Sequence, residues 1–233
     1  PNIFNVKSND LNSQFSLSFS SIVGFTGLYK KDDALLTLQK SFWAYQNNKK
    51  IEILNSDFNN KYNFLTNFKF INRSGPTETG DTLLALSRDN FIPSIILMEN
   101  IYRDDLKLEE ALAIICQGMS REITATNIPK SLNPIRNRLG NYIKECNKEL
   151  QKNNEAEYFK ENFYSFGFLY HFIENSSIND TLDQFDISPG DFIKEAKEAL
   201  EIASKFSEVY NLDIFNKIIK KLDIGLISKT IYE

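Results

Sequence analysis

The sequence predicts a mainly α-helical bundle with one small β-hairpin. Apolar residues recur at spacings of three and four along several long stretches, which is the pattern of helices with one buried face. One short segment, around residues 70–80, has the turn residues expected of a hairpin. With 233 residues, 42% of them hydrophobic, and 19 phenylalanines, the chain is apolar enough to bury a core.

The first quarter of the chain predicts a short extended segment and one helix. Between residues 15 and 25 the apolar residues first alternate, so we expect an extended segment before a helical turn. Asp32 or Asp33 is expected to cap a helix that continues to about Lys50. Residues 47–63 are polar and rich in asparagine, and they predict a connector or a frayed helix.

The segment after residue 62 predicts a helix, a short hairpin and a further helix. This order is typical of a winged-helix-like element. Gly75 and Gly80 also invite interpretation as a phosphate-binding loop. No Gly-Lys-Ser/Thr follows them, so a turn is favoured.

The rest of the chain predicts a series of helices. The aromatic block at residues 158–172 is expected to be a core helix, because buried aromatic faces are commoner than base-stacking surfaces. The predicted helical stretches are 93–102, 108–116, 135–150, 158–172, 178–185, 188–206 and 212–222.

The helix at residues 188–206 has the most sharply defined start. Ser188 is suited to the N-cap, Pro189 to the first helical position and Asp191 to a capping box. Glu201 and Lys205 have the spacing of a favourable ion pair. The apolar residues of one face are Phe192, Ala196, Ala199, Leu200, Ala203 and Phe206.

The charge balance argues against a free-standing nucleic-acid-binding protein. The net charge is -4, whereas proteins that bind phosphates by themselves usually carry a basic surplus. Any nucleic-acid contact must therefore use a local patch. The most basic stretch is the neighbourhood of the 135–150 helix, in which Arg136 and Arg138 are candidate contacts.

Few residues are suited to catalysis. The sole histidine, His171, lies in an aromatic run and is expected to be structural. Cys116 and Cys146 are too few for a zinc site or a disulfide framework, and we expect reduced thiols. The sequence lacks the lysine and hydroxyl residue of a nucleotide-binding P-loop. We therefore expect no catalytic residue, metal or cofactor in this chain.

The sequence also predicts a soluble, cytoplasmic protein. No apolar stretch approaches the ~18 residues needed to span a bilayer, so no membrane partner is expected. The first residues lack the features of an export signal. Because the chain begins with Pro1, we expect a fragment or a processed product.

Residues 185–197 resemble a known family. Gly190-Asp191 is followed by Phe192-Ile193-Lys194 and by a second basic residue, Lys197. This segment resembles the signature of the DSHCT domain, the C-terminal domain of superkiller-like DExH-box helicases. Family-like segments also occur upstream in the expected order, at residues 14–23, 40–46, 70–71, 77–80 and 108–112.

The resemblance implies three parts. Residues 1–55 would follow the motor domains, residues 56–122 would form the winged-helix-like start of the helical bundle, and residues 123–233 would be the DSHCT-type domain. No long arch, as in exosome-associated relatives, fits between residues 46 and 62.

The resemblance also implies a function. The chain would be the C-terminal accessory region of an ATP-dependent RNA helicase, and the 188–206 helix would act as a ratchet on single-stranded RNA. Lys194 and Lys197 would contact the strand. ATP and Mg²⁺ are expected only in the motor domains, which are outside this chain and are its expected partners.

Two alternatives remain open at this stage. One is a protein-interaction module without nucleic-acid contact, which the net charge and the glutamates at positions 195, 198 and 201 favour. The other is a stand-alone winged-helix DNA-binding regulator, which rests only on the pattern around residues 60–90.

Overall fold

The structure is a computed structural model that describes residues 17–40, 51–100, 106–120, 130, 133–152 and 158–223. These residues form a helical bundle with one small antiparallel sheet, which confirms the predicted fold class. The helices are α1 (Phe19–Leu28), α2 (Lys31–Gln39), α3 (Ile51–Asn67), α4 (Glu78–Leu86), α5 (Ile92–Asn100), α6 (Leu108–Gln117), α7 (Asn133–Gln151), α8 (Phe166–Asn175), α9 (Ile178–Phe185), α10 (Pro189–Tyr210) and α11 (Asp213–Lys221). The strands are β1 (Ile71–Asn72) and β2 (Gly75–Pro76).

The predicted helical turn lies within α1 and is confirmed. The predicted extended segment is shorter than expected, because only Leu17 and Ser18 precede the helix, which already begins at Phe19. The Ser18 hydroxyl caps the helix by accepting a hydrogen bond from the N–H of Ser21 at 3.0 Å. The carboxylate of Asp89 accepts two more, from the N–H groups of Phe19 and Ser20, at 2.8 and 3.0 Å. Because the first N–H groups of a helix have no partner within it, these caps favour the helix. The alternating pattern carried no sign of a cap from so distant a residue.

Helices α2 and α3 also differ from the prediction. Asp32 and Asp33 lie within the first turn of α2, which Lys30 precedes, so neither is the N-cap. The predicted continuation of α2 through residues 41–50 lies outside the described residues. The Asn-rich stretch forms most of α3, so a connector is wrong from residue 51 onward. Its buried side chains are Leu54, Phe58, Lys61, Phe64 and Leu65.

The predicted hairpin is confirmed. Strands β1 and β2 pair antiparallel, with Ile71 opposite Pro76 and Asn72 opposite Gly75. The Asn72 side-chain oxygen accepts a hydrogen bond from the N–H of Ser74 at 2.7 Å, which closes the turn. Gly75 has φ of 122°, a backbone conformation that favours glycine.

Helix α6 lies at the centre of the bundle. It packs against α7, α8, α10 and α11, and residues 111–117 are all buried. Helix α5 is buried along residues 92–98 and packs against α4 and α7. A helix that is apolar on all sides is expected to lie inside a protein, so these two helices form the core on which the others pack.

The segment at residues 158–165 is not helical, so the predicted core helix begins only at Phe166. The side-chain oxygen of Asn147 accepts hydrogen bonds from the N–H groups of Tyr158 and Phe159 at 3.1 and 3.0 Å. These bonds give both backbone N–H groups a partner outside any helix. The core role is nevertheless confirmed for Phe159, Phe163, Phe166, Phe168 and Phe172, which are buried.

The last helices follow the prediction closely. Helix α9 has the predicted bounds, and α11 lies within the predicted stretch. Left-handed residues end three of these helices, namely Ser176 after α8, Asp186 after α9 and Asn211 after α10. Within the described ranges, every helix is too short or too polar to cross a membrane.

Candidate functional site

Helix α10 carries two predicted site residues and begins where the sequence predicts. The Ser188 hydroxyl accepts a hydrogen bond from the N–H of Asp191 at 3.1 Å and donates one to the Asp191 carboxylate at 2.8 Å. This side-chain cap satisfies one of the free N–H groups at the helix start. The helix continues to Tyr210, about one turn beyond the predicted end. The start of α10 is therefore set by a local signal.

One face of α10 is buried against α4, α6 and α11. Phe192 packs against Phe168 and Phe172, with ring centroids 6.0 and 5.2 Å apart. Phe206 meets Phe91 edge to face at 5.2 Å. The buried alanines of this face are Ala196, Ala199 and Ala203. This packing decides which residues of α10 point away from the bundle.

The opposite face of α10 presents an exposed stripe. Its exposed residues are Gly190, Lys194, Lys197, Glu201 and Glu208. Among the described residues, no carboxylate lies within ion-pair distance of Lys194 or Lys197. The two lysines are three positions apart and therefore share one side of the helix. They are available to an external anion.

The glutamates of α10 are less exposed than the sequence suggested. Glu195 is fully buried, and its carboxylate accepts a hydrogen bond from the Ser165 hydroxyl at 2.5 Å. Glu201 is exposed and pairs with Lys205 at 3.3 Å, as predicted. Glu198 is held by residues of two other segments. The expectation that all three glutamates form an acidic outer surface is therefore wrong, because two of them are engaged inside the fold.

Glu198 joins α10 to the segments that follow α4 and α6. Its carboxylate accepts hydrogen bonds from Arg88 Nη1 at 2.5 Å and from the Ser120 hydroxyl and N–H at 2.6 and 3.0 Å. Partial burial raises the pKa of Glu198. The hydrogen bonds from Ser120 and Arg88 outweigh this effect and hold the pKa below its usual value. Glu198 is therefore ionised at neutral pH and neutralised by Arg88.

The predicted arginine contacts lie on α7 and are both paired with carboxylates. Arg136 Nε lies 2.9 Å from the Glu161 carboxylate, and Arg138 Nη2 lies 2.8 Å from that of Glu110. Helix α7 packs against α3, α5 and α6, whereas α10 packs against α4, α6 and α11. The structure therefore separates the two predicted pairs.

The structure also forms a cleft that sequence reasoning missed. We call it the hairpin cleft; residues 26–31, Tyr62 and residues 72–75 line it, and it encloses about 210 Å³. These segments come from the end of α1, the start of α2, α3 and the β-hairpin. Two local signals could have indicated it, namely the Tyr29-Lys30-Lys31 run and an arginine at the hairpin turn.

The thiols and the histidine occupy structural positions. Burial raises the pKa of the Cys116 and Cys146 thiols far above the usual range, and nearby glutamates add to the shift. Both thiols are therefore protonated and poor nucleophiles. His171 Nδ1 lies 2.9 Å from the Thr181 hydroxyl, in hydrogen-bond contact.

Comparison with protein families, curated proteins and solved structures finds no match to this chain.

Proposed function

We propose that this chain is the C-terminal accessory region of a superkiller-like ATP-dependent RNA helicase, in which α10 guides single-stranded RNA beside motor domains outside this chain. ATP and Mg²⁺ would belong to those motor domains, and the proposal includes a cytoplasmic location. The helix, hairpin and helix that precede a helical bundle support it, as do the family-like segments in their expected order.

The exposed stripe of α10 is the observation that carries the proposal. Lys194 and Lys197 are exposed, and within the described residues neither is neutralised by a carboxylate. The rise of about 1.5 Å per residue places their Cα atoms ~5 Å apart along the helix axis. Flexible lysine side chains on one side of a rigid helix suit successive contacts with a moving phosphate backbone. The buried Glu195 and the paired Glu198 leave this part of the stripe positive.

The decisive test replaces both lysines in the full-length protein that contains this chain. Lys194→Ala with Lys197→Ala is expected to lower the rate of ATP-dependent unwinding of a duplex with a single-stranded 3′ tail by about tenfold, because two phosphate contacts are lost. The ATPase rate without RNA should stay within about twofold of the unmodified protein, since nucleotide hydrolysis belongs to the motor domains.

The matched control is Arg136→Ala with Arg138→Ala, which removes the same charge from α7. These arginines are neutralised by Glu161 and Glu110, so the control is expected to change unwinding less than twofold. Equal unwinding by the lysine variant and the unmodified protein would overturn the ratchet role. Absence of helicase motor motifs from the full-length protein would overturn the helicase proposal itself.

A protein-interaction module is a second candidate function. Large apolar side chains are exposed on three neighbouring helices, with Leu28 of α1 at 78%, Leu36 of α2 at 51% and Ile53 of α3 at 62% exposure. Helix α2 packs against both α1 and α3, so the three helices that carry these side chains are neighbours. Exposed apolar residues favour protein contacts. Binding through them would depend little on salt, whereas binding to phosphates weakens as salt increases.

A further inference from the structure

The hairpin cleft concentrates positive charge on a chain whose net charge is -4. Its lining includes Lys30, Lys31 and Arg73, and none of the described residues that line it is an aspartate or glutamate. Lys30 and Arg73 are exposed, and neither has an ion-pair partner in the part of the chain that the structure describes. Cations in a concave surface strengthen one another's potential, because the surrounding protein screens charge poorly. The cleft therefore favours an anionic ligand.

Two tyrosines add aromatic surface to the same cleft. Tyr62 is half-buried; Phe58 stacks on it at 5.9 Å, and the Lys31 ammonium lies 4.6 Å from its ring centre. Tyr29 is 43% exposed, so its ring is the aromatic surface most open to a ligand. Positive side chains beside an open aromatic ring are the combination that holds single-stranded nucleic acids, because phosphates meet the cations and bases stack on the ring.

The size and rigidity of the cleft indicate how much of a ligand it holds. Its volume of about 210 Å³ is below the ~300–1,000 Å³ typical of pockets that enclose a whole small molecule. It therefore fits one unit of a longer ligand. The Asn72–Ser74 hydrogen bond fixes the hairpin turn, and Gly75 packs so closely on α1 that an added Cβ would lie 3.1 Å from the Thr26 carbonyl oxygen. Walls that are already ordered lower the cost of binding.

We infer that the hairpin cleft binds one nucleotide of a single-stranded nucleic acid, with Lys30 and Arg73 at the phosphates and Tyr29 stacked on a base. A duplex does not offer an unstacked base to this ring, and an acidic peptide uses the cations without stacking. The inference rests on the proposed function only in taking a nucleic-acid strand as the ligand. The site itself is distinct from α10.

The test measures binding of the 233-residue chain to a fluorescein-labelled oligouridylate of about 12 nucleotides by fluorescence anisotropy at several salt concentrations. Lys30→Ala with Arg73→Ala is expected to weaken binding about tenfold near 0.1 M salt. The slope of log affinity against log salt should fall by about 1.4, since each single-strand phosphate contact contributes about 0.7.

The matched control is Lys217→Ala with Lys220→Ala, which removes the same charge from exposed positions of α11. It is expected to change affinity less than twofold, because α11 does not line the cleft. Equal losses in the two variants would overturn the inference, since the effect would then reflect net charge alone. Unaltered thermal unfolding of both variants establishes that the fold is intact.

Substitutions at Tyr29 distinguish binding of a nucleic acid from binding of an acidic peptide. Tyr29→Ala is expected to weaken oligouridylate binding about tenfold without changing the salt slope, because stacking involves no counterion release. Tyr29→Phe keeps the ring and should bind as the unmodified chain does. The competing ligand is an oligoglutamate of equal charge. If it binds as tightly as the oligouridylate and Tyr29→Ala does not change its affinity, the inference is overturned in favour of an acidic protein partner.

The two proposals fail in distinguishable ways. If the chain binds no oligouridylate, or if only Lys194→Ala with Lys197→Ala weakens its binding, the cleft inference is wrong while the helicase proposal stands. A second pattern has the opposite meaning. The cleft variants weaken oligouridylate binding, but replacing Lys194 and Lys197 leaves the unwinding rate of the full-length protein unchanged. In that case the cleft inference stands and the ratchet role is wrong.

Discussion

Helices α4 and α10 begin with the same local features but lie in different surroundings. Each has a hydroxyl N-cap, Thr77 for α4 and Ser188 for α10, and each has a glycine in its first turn. The α4 glycine, Gly80, is buried, and an added Cβ would lie 2.1 Å from the Phe70 carbonyl oxygen. The α10 glycine, Gly190, is exposed, and in the described residues no atom beyond its chain neighbours and its own helix backbone lies within 4 Å of that position.

A hydroxyl N-cap followed by a glycine therefore begins a helix whose start is packed inside the bundle in α4 and exposed in α10. The start of α4 is pressed against the chain that enters the hairpin, so its glycine is required by space. The start of α10 projects from the bundle at one end of the stripe that carries Lys194 and Lys197. If position 190 must be glycine, the reason would be close approach by a ligand or partner outside the described residues.

The two glycines provide the largest expected contrast. Gly80→Ala is expected to lower the free energy of unfolding by about 3 kcal/mol, because its methyl group would collide with backbone that cannot move away. Gly190→Ala is expected to raise it by about 0.5 kcal/mol, since alanine has the higher helix propensity and space is open. Urea denaturation measures both. Equal effects at the two positions would contradict the contrast.

The Arg88–Glu198 pair, which links the end of the α4 segment to α10, is expected to have the next largest effect. Glu198→Gln should lower the free energy of unfolding at pH 7 by about 2 kcal/mol, because Arg88 loses its charged partner and Ser120 keeps a weaker acceptor. Arg88 then retains only the more distant Glu201, at 3.9 Å. Glu208→Gln on the exposed stripe is the control and should change it by less than about 0.5 kcal/mol.

The same pair predicts a pH dependence. The pKa of Glu198 is lower in the folded protein than its usual value of about 4.3. Its contribution to stability is therefore fully present above that value and is lost as pH falls through the folded pKa. The stability difference between the unmodified chain and Glu198→Gln should shrink as urea denaturation is repeated from pH 7 down to about 3.5. A constant difference would show that ionisation is not its cause.

The N-caps give the smallest contrast. The Thr77 hydroxyl accepts from the N–H of Gly80 at 3.2 Å and donates to the Lys69 carbonyl at 2.6 Å, so it also closes the base of the hairpin. We expect Thr77→Ala to cost about 1.5 kcal/mol and Ser188→Ala about 1 kcal/mol, both measured by thermal unfolding. Thr77→Ser, which keeps the hydroxyl, is the control. A larger loss at Ser188 would reverse the contrast.

Local signals predicted those elements whose hydrogen-bond partners lie within a few residues. The start of α10 was predicted from its serine cap, Ser188, and α9 from its apolar spacing; the structure adds a local cap from Ser177 to α9. The hairpin was predicted because its turn is closed by Asn72 and Gly75 themselves. In each case the deciding interaction is encoded in adjacent sequence.

Predictions were wrong where the deciding partner is distant in sequence. The start of α1 receives two hydrogen bonds from Asp89 besides its local cap from Ser18. The non-helical segment at residues 158–165 is held by Asn147. The start of α3 was left open between a connector and a frayed helix, because its asparagines obscured a buried stripe that includes Phe58 and Leu65. Composition and spacing could not reveal these interactions, since they depend on which segments pack together.

The sequence by itself determined the helical character of the chain, the hairpin and the two faces of α10, because apolar spacing and capping residues act over one or two turns. Only the tertiary structure decided which charged side chains remain exposed and without an opposite charge beside them. It buried Glu195, paired Glu198 with Arg88, neutralised Arg136 and Arg138, and left Lys194 and Lys197 exposed. It also assembled the hairpin cleft from four segments. The physical reason is that a charge is neutralised by its neighbours in space, whose identity the order of residues does not reveal.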